Sequence, residues 1–130
     1  MIVVDASALV EVLVGRDVDV AVLDRLEGDI AAPHLLDVDV MSVLRGLERG
    51  GKVTTQAADR ARRDHFALDI TRHEMLPLAE RVWRLRHQFT SYDACYLALA
   101  EALEVPLLTC DSRLDTAGHG AHIVVVSRTH

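Results

Sequence analysis

The chain has 130 residues, half of them hydrophobic and only 4% aromatic, so one domain spanning 1–130 with a Val, Leu, Ala and Ile core is expected. A net charge of −6 argues against holding nucleic acid by bulk attraction, and no apolar run approaches the roughly 20 residues that a membrane span needs. The start is acidic within five residues, which speaks against a signal peptide, and Cys95 and Cys110 lack CxxC spacing, so reduced thiols in a cytoplasmic protein are expected.

In chain order, Ile2-Val3-Val4 is a β-branched run that ends at Asp5, and Leu9, Val10, Leu13 and Val14 then recur at helical spacing up to Gly15. Val18, Val22 and Leu26 predict a second helix, and Ile30-Ala31-Ala32 a strand closed by Pro33. From His34 to Arg49, Leu36, Val40, Val43, Leu44 and Leu47 form one stripe that Gly50-Gly51 stops. Thr54 caps the next helix, which runs to about Leu68. Ile70 lies in a weak strand candidate, and Leu78 to Phe89 reads as a helix. Thr90-Ser91 caps an apolar helix through Leu103, and Val105–Thr109 and Ile123–Val126 are the last strands. Strands alternating with helices imply a parallel sheet covered on both faces, where ligands collect at the carboxyl ends of the strands.

Four acids stand where these elements begin, end or turn inward. Asp5 and Asp111 each finish a predicted strand, and capping or turn formation would account for either alone. Asp39 shares a helix face with Leu35 and Val43, where a carboxylate must be paired, protonated or bound to a metal. Asp37, two residues earlier, faces elsewhere and is expected in solvent. Asp93 follows Thr90 by three residues, which suits a capping box, yet it shares a face with Leu97 and Ala100. Ser7 and Thr109 are hydroxyl neighbours of these acids, and Asp115 is a fifth acid expected at the surface. If the four converge, their repulsion is relieved by a cation. Oxygen ligands suit one or two Mg²⁺ or Mn²⁺ ions, and phosphodiester cleavage is the natural chemistry of such a site.

Other chemistries fit less well. His34, His65, His73, His87, His119, His122 and His130 form no zinc pattern, and there is no Walker loop, GxGxxG or serine elbow. A receiver-type phosphoacceptor needs a lysine near its last strands, whereas Lys52, the single lysine, lies between two helices. A haloacid-dehalogenase-like phosphatase wants Asp where Ser7 stands. Charge is uneven: residues 1–44 carry nine acids against Arg16 and Arg25, while residues 60–87 carry seven arginines against four acids. Solvated helix faces and separate partner surfaces both account for that distribution.

Val3-Val4-Asp5-Ala6-Ser7-Ala8-Leu9, Pro33-His34-Leu35 through Asp39-Val40, Tyr92-Asp93-Ala94-Cys95-Tyr96 and Pro106-Leu107-Leu108-Thr109-Cys110-Asp111-Ser112-Arg113-Leu114 resemble the motifs of PIN-domain ribonucleases in order and spacing. The VapC-like toxins of type II toxin–antitoxin pairs are the closest group. The resemblance implies a three-layer α/β/α fold with a mainly parallel sheet and an endoribonuclease dependent on Mg²⁺ or Mn²⁺. It also implies a homodimer and a small VapB-like antitoxin as partner. Asp5, Asp39, Asp93 and Asp111 then look like the metal-binding acids, with Ser7 and Thr109 in support. The family usually has Glu in place of Asp39, so this shorter side chain either coordinates directly or acts through a water. On this reading Arg45, Arg49, Lys52 and Arg113 contact RNA phosphates, and the outer faces of the helices in residues 8–27 accept the antitoxin. A PIN-like module that only binds a partner is the alternative.

Overall fold

The computed structural model describes residues 1–129; His130 lies outside the described residues. The elements are β1 (Ile2–Val4), α1 (Ala6–Val14), α2 (Val20–Leu26), β2 (Ile30–Pro33), α3 (Leu35–Arg49) and α4 (Thr55–Ala67). They continue with β3 (Ile70–His73), α5 (Ala79–Arg84), α6 (Ser91–Leu103), β4 (Leu107–Thr109) and β5 (Ile123–Val125). The five strands form one parallel sheet in the order β3-β2-β1-β4-β5. After β3 the chain returns past β1 to lay β4 on its other side, so strand order reverses at the β1–β4 junction. Such a reversal opens a crevice beyond the carboxyl ends of the strands.

Burial explains why short runs suffice as strands. Val3, Val4, Leu107 and Leu108 are fully buried, as a central parallel sheet covered on both faces requires. Helix α6 packs on β1, β2 and β4 with α5 against it, while α1, α3 and α4 pack together and α1 reaches β4. These two helical layers around the sheet give the three-layer α/β/α architecture. Leu9, Leu36 and Leu97 knit the layers with no exposed surface. Truncating Leu97 to Ala would cost about 2–5 kcal/mol through lost transfer energy and a cavity.

Three elements depart from the sequence expectation. The second helix begins at Val20 because the Asp19 side chain accepts from the Ala21 amide and sets its start. Helix α5 ends at Arg84, short of Phe89. Leu85 and Phe89 are both buried and keep helical spacing, but turns connect them. The weak strand at Ile70 is a full edge strand, paired with β2 from Ile70–Ile30 to His73–Pro33. Beyond β5, the tail is fastened to α1: Glu11, fully buried, accepts hydrogen bonds from the Thr129 amide at 2.7 Å and from its hydroxyl. Gly15 permits this approach, since a Cβ there would lie 2.9 Å from the Thr129 hydroxyl oxygen.

Candidate active site

Asp5 leaves β1 and caps α1, its Oδ1 accepting from the Ala8 amide at 3.0 Å and the Ser7 hydroxyl at 2.7 Å. Its Oδ2 accepts from the Thr109 hydroxyl at 2.5 Å, across the β1–β4 junction. Ser7 and Thr109 extend this lattice to the next loop: the Cys110 amide donates to Ser7 Oγ at 2.9 Å and the Asp111 amide to Thr109 Oγ1 at 3.0 Å. One hydrogen-bonded web therefore orients Asp5 and the start of the Asp111 turn together. The carboxyl of Asp5 is nonetheless pushed up from its ordinary range by burial. The three donors work against that push, and the charge of Asp93 adds to it.

Asp93 sits in the first turn of α6, its amide held by the Thr90 hydroxyl at 3.1 Å. It too is pushed up, by burial and then by the charges of Asp111 and Asp39; Thr90 and Arg113 counteract. Asp39 projects from the second turn of α3 and accepts from the Tyr96 hydroxyl of α6 at 2.8 Å. Burial and this bond hold the Tyr96 phenol far above its usual range, so it stays a donor. Asp111 differs from the other three. Arg113 forks across it, with Nε to Oδ1 at 2.9 Å and Nη2 to Oδ2 at 2.8 Å, and holds it below the usual carboxylate range.

The four acids thus sense one another at a single end of the sheet. Among the described residues, however, no three His, Cys, Asp or Glu side chains stand close enough to form a ready cation cage. Asp93 and Asp111 line a cavity of about 240 Å³ whose wall mixes polar Gln88, Thr90, Arg113 and Thr116 with apolar Phe89 and Leu114. A separate apolar cavity of similar size is lined by Tyr92 and Cys95 of α6 together with His34, His73 and Met75. Larger cavities, about 580 Å³ beside Glu104 and about 430 Å³ between α3 and α4, lie away from these acids.

Not every expected residue gathers here. Along α3, Arg45 stands about 9 Å and Arg49 about 15 Å beyond Asp39 at 1.5 Å per residue, and Lys52 follows past the end of that helix. All three are exposed. The arginine-rich middle is largely neutralised locally: Arg62 and Arg63 pair with Asp59, Arg72 with Asp37, Arg81 with Glu101 and Arg84 with Glu80. Asp37 is not a solvated acid. It accepts from Arg72 and from His65, a fully buried imidazole whose other nitrogen, Nδ1, has no partner among the described residues. Asp115 is exposed, as expected.

Sequence reasoning missed Tyr96 and Arg128. A phenol on an otherwise apolar helix signals that its hydroxyl needs a partner, so Tyr96 could have been found. Arg128 lies in the tail, where its charge helps to lower Asp111, and no local pattern announces it.

A covered parallel sheet whose acid-tipped strands flank the reversal of strand order belongs to the doubly wound α/β domains that place their chemistry at the carboxyl edge. Among these, the chain belongs to the PIN domain family, whose profile matches residues 2–120. It is 45% identical over 119 residues to "Ribonuclease VapC1" of Mycobacterium tuberculosis, covering 88% of this chain and 89% of that one. PAE2754 from Pyrobaculum aerophilum superposes with a TM-score of 0.71 and 27% identity, over 95% of this chain and 83% of that one. A toxin–antitoxin complex from Klebsiella pneumoniae shares the fold with a TM-score of 0.64 at 22% identity, over 95% and 96% of the two chains.

Proposed function

We propose that this protein is a divalent-cation-dependent endoribonuclease, the toxin of a type II toxin–antitoxin pair. The ribonuclease names of its relatives support RNA as the substrate class. The observation that carries the reading is geometric: Asp5 is fastened by Ser7 and Thr109 across the β1–β4 junction, Asp93 and Asp111 line one cavity, and both Asp5 and Asp93 are pushed up by burial and like charge. A fold maintains such repulsion at a cost, and a cation bound between the acids removes it.

The donor set fits Mg²⁺ or Mn²⁺. Asp5, Asp93, Asp111 and Asp39 offer only oxygen, and Ser7 and Thr109 hold Asp5 in place through Oδ1 and Oδ2. When bound, one or two such ions supply an acidified water and offset charge on the scissile phosphate. The chain's own groups do the rest: Ser7 and Thr109 fix Asp5, Tyr96 fixes Asp39, and Gln88, Thr90 and Thr116 offer hydrogen bonds to RNA beside Asp93. Arg113 and Arg128 supply positive charge next to Asp111 for the phosphate backbone. Arg45, Arg49 and Lys52, further along, suit contacts with a more distant phosphate.

The antitoxin surface is assigned to the outer face of α1 and α2, where Val20 and Leu23 are exposed. The homodimer contact is assigned to the segment that carries Leu76 and Trp83, 82% and 66% exposed. No helix among the described residues is long and apolar enough to cross a membrane. The deciding experiment is cleavage of RNA with Mg²⁺ or Mn²⁺, with EDTA, and with Asp5→Asn. Cleavage that survives either EDTA or the substitution refutes the cation-dependent reading, and no cleavage of any RNA favours the binding module.

A further inference from the structure

We propose that Arg113 is a latch on Asp111: its guanidinium covers both carboxylate oxygens until a divalent cation displaces it, and the freed guanidinium then binds RNA phosphate. The inference rests on the cation-dependent ribonuclease reading and adds a coupling between its two ligands. Three donors of Arg113 converge on one carboxylate: Nε at 2.9 Å and the backbone amide at 3.0 Å on Oδ1, and Nη2 at 2.8 Å on Oδ2. The amide bond turns the carboxylate and is compatible with a cation. The guanidinium fork is not, because it uses both oxygens and places a positive charge where another would arrive.

The fork is built to open. The Arg113 side chain is 85% exposed against 20% for Asp111, and among the described residues it hydrogen-bonds to no other carboxylate. Exposed pairs hold weakly, and a divalent ion brings twice the charge of the guanidinium to a carboxylate whose neighbour Asp93 carries the same sign. Once released, Arg113 remains on the wall of the cavity that Asp93 and Asp111 share, and its planar fork matches a phosphate as well as it matched a carboxylate. RNA and cation therefore both favour the open latch, so each strengthens binding of the other. Arg62, Arg81 and Arg84, by contrast, pair with acids that take no part in the site.

The test measures Mn²⁺ affinity by calorimetry on the intact protein without RNA, and KM and kcat on a fluorescent oligoribonucleotide. Arg113→Ala should bind Mn²⁺ about fivefold more tightly, the size expected of one exposed ion pair. Arg113→Lys, which keeps the charge and loses the fork, should fall between wild type and Ala. In both variants KM for RNA should rise more than kcat falls. If Arg113→Ala unfolds, Arg113→Lys alone carries the comparison. Unchanged or weaker Mn²⁺ binding in a folded variant overturns the latch while leaving the ribonuclease reading intact. If neither wild type nor variant binds Mn²⁺, the cation reading falls and the latch with it.

Discussion

Asp37 and Asp39 are two residues apart on α3, and the fold treats them in opposite ways. Asp37 is met by the Arg72 guanidinium and the buried His65 imidazole. Despite partial burial these contacts hold its carboxyl below the ordinary range. Asp39 meets a neutral phenol and contributes its charge to an end of the sheet where Asp5 and Asp93 are already pushed up. A carboxylate that serves structure is neutralised by the chain itself. Asp39 is left beside the like charges of Asp93 and its neighbours, and on the proposed reading that contrast sets an acid kept for a ligand apart from one used by the fold.

The sharpest way to break this contrast is Asp5→Asn. It should lower RNA cleavage by more than about a hundredfold, beyond what loss of a supporting partner costs a metal site. It should also raise the melting temperature of the cation-free protein, because a buried charge opposed by Asp93 is removed. Cleavage and thermal melting measured on one preparation check both signs, and a variant that is inactive but less stable would contradict the claim of stored repulsion. Thr109→Val comes next. It keeps shape but removes the donor to Asp5 Oδ2 and the acceptor for the Asp111 amide, so cleavage should fall about tenfold to a hundredfold. Tyr96→Phe frees Asp39 from one hydrogen bond, and a loss of up to about tenfold in kcat with little change in KM is expected if that bond orients the acid.

Much of this was legible before the structure. β1 and β4 announce themselves as apolar runs stopped by Asp5 and Asp111, and Thr54 and Thr90 cap the helices that follow them. The end of α5 was not legible, because Leu85 and Phe89 point into the core with helical spacing although the backbone between them has left the helix. The stripe on α3 correctly set Asp37 off the face of Asp39, but periodicity does not say what lies on the other side. Here it is α4 and β3, through His65 and Arg72. Likewise Tyr96 finds Asp39 across 57 positions of sequence, a pairing that only the packing of α6 near α3 creates.

The smallest expected effect tests the structural half of the contrast. Asp37→Asn should leave RNA cleavage per folded molecule unchanged, since no carboxylate of the site contacts it. Its cost is in stability, about 1 kcal/mol at neutral pH for a charge-assisted cluster that keeps some solvent contact. The pH dependence fixes the origin of that cost. Because the folded carboxyl lies below its ordinary value near 3.9, its stabilising contribution is complete above about pH 4 and disappears as pH falls through the lower, folded value. Urea unfolding should therefore separate wild type from Asp37→Asn at pH 7 and show the gap narrowing as pH falls below about 4. A gap that persists in acid would mean that Asp37 acts through packing rather than charge, and the distinction between a neutralised and an exposed acid on α3 would lose its electrostatic basis.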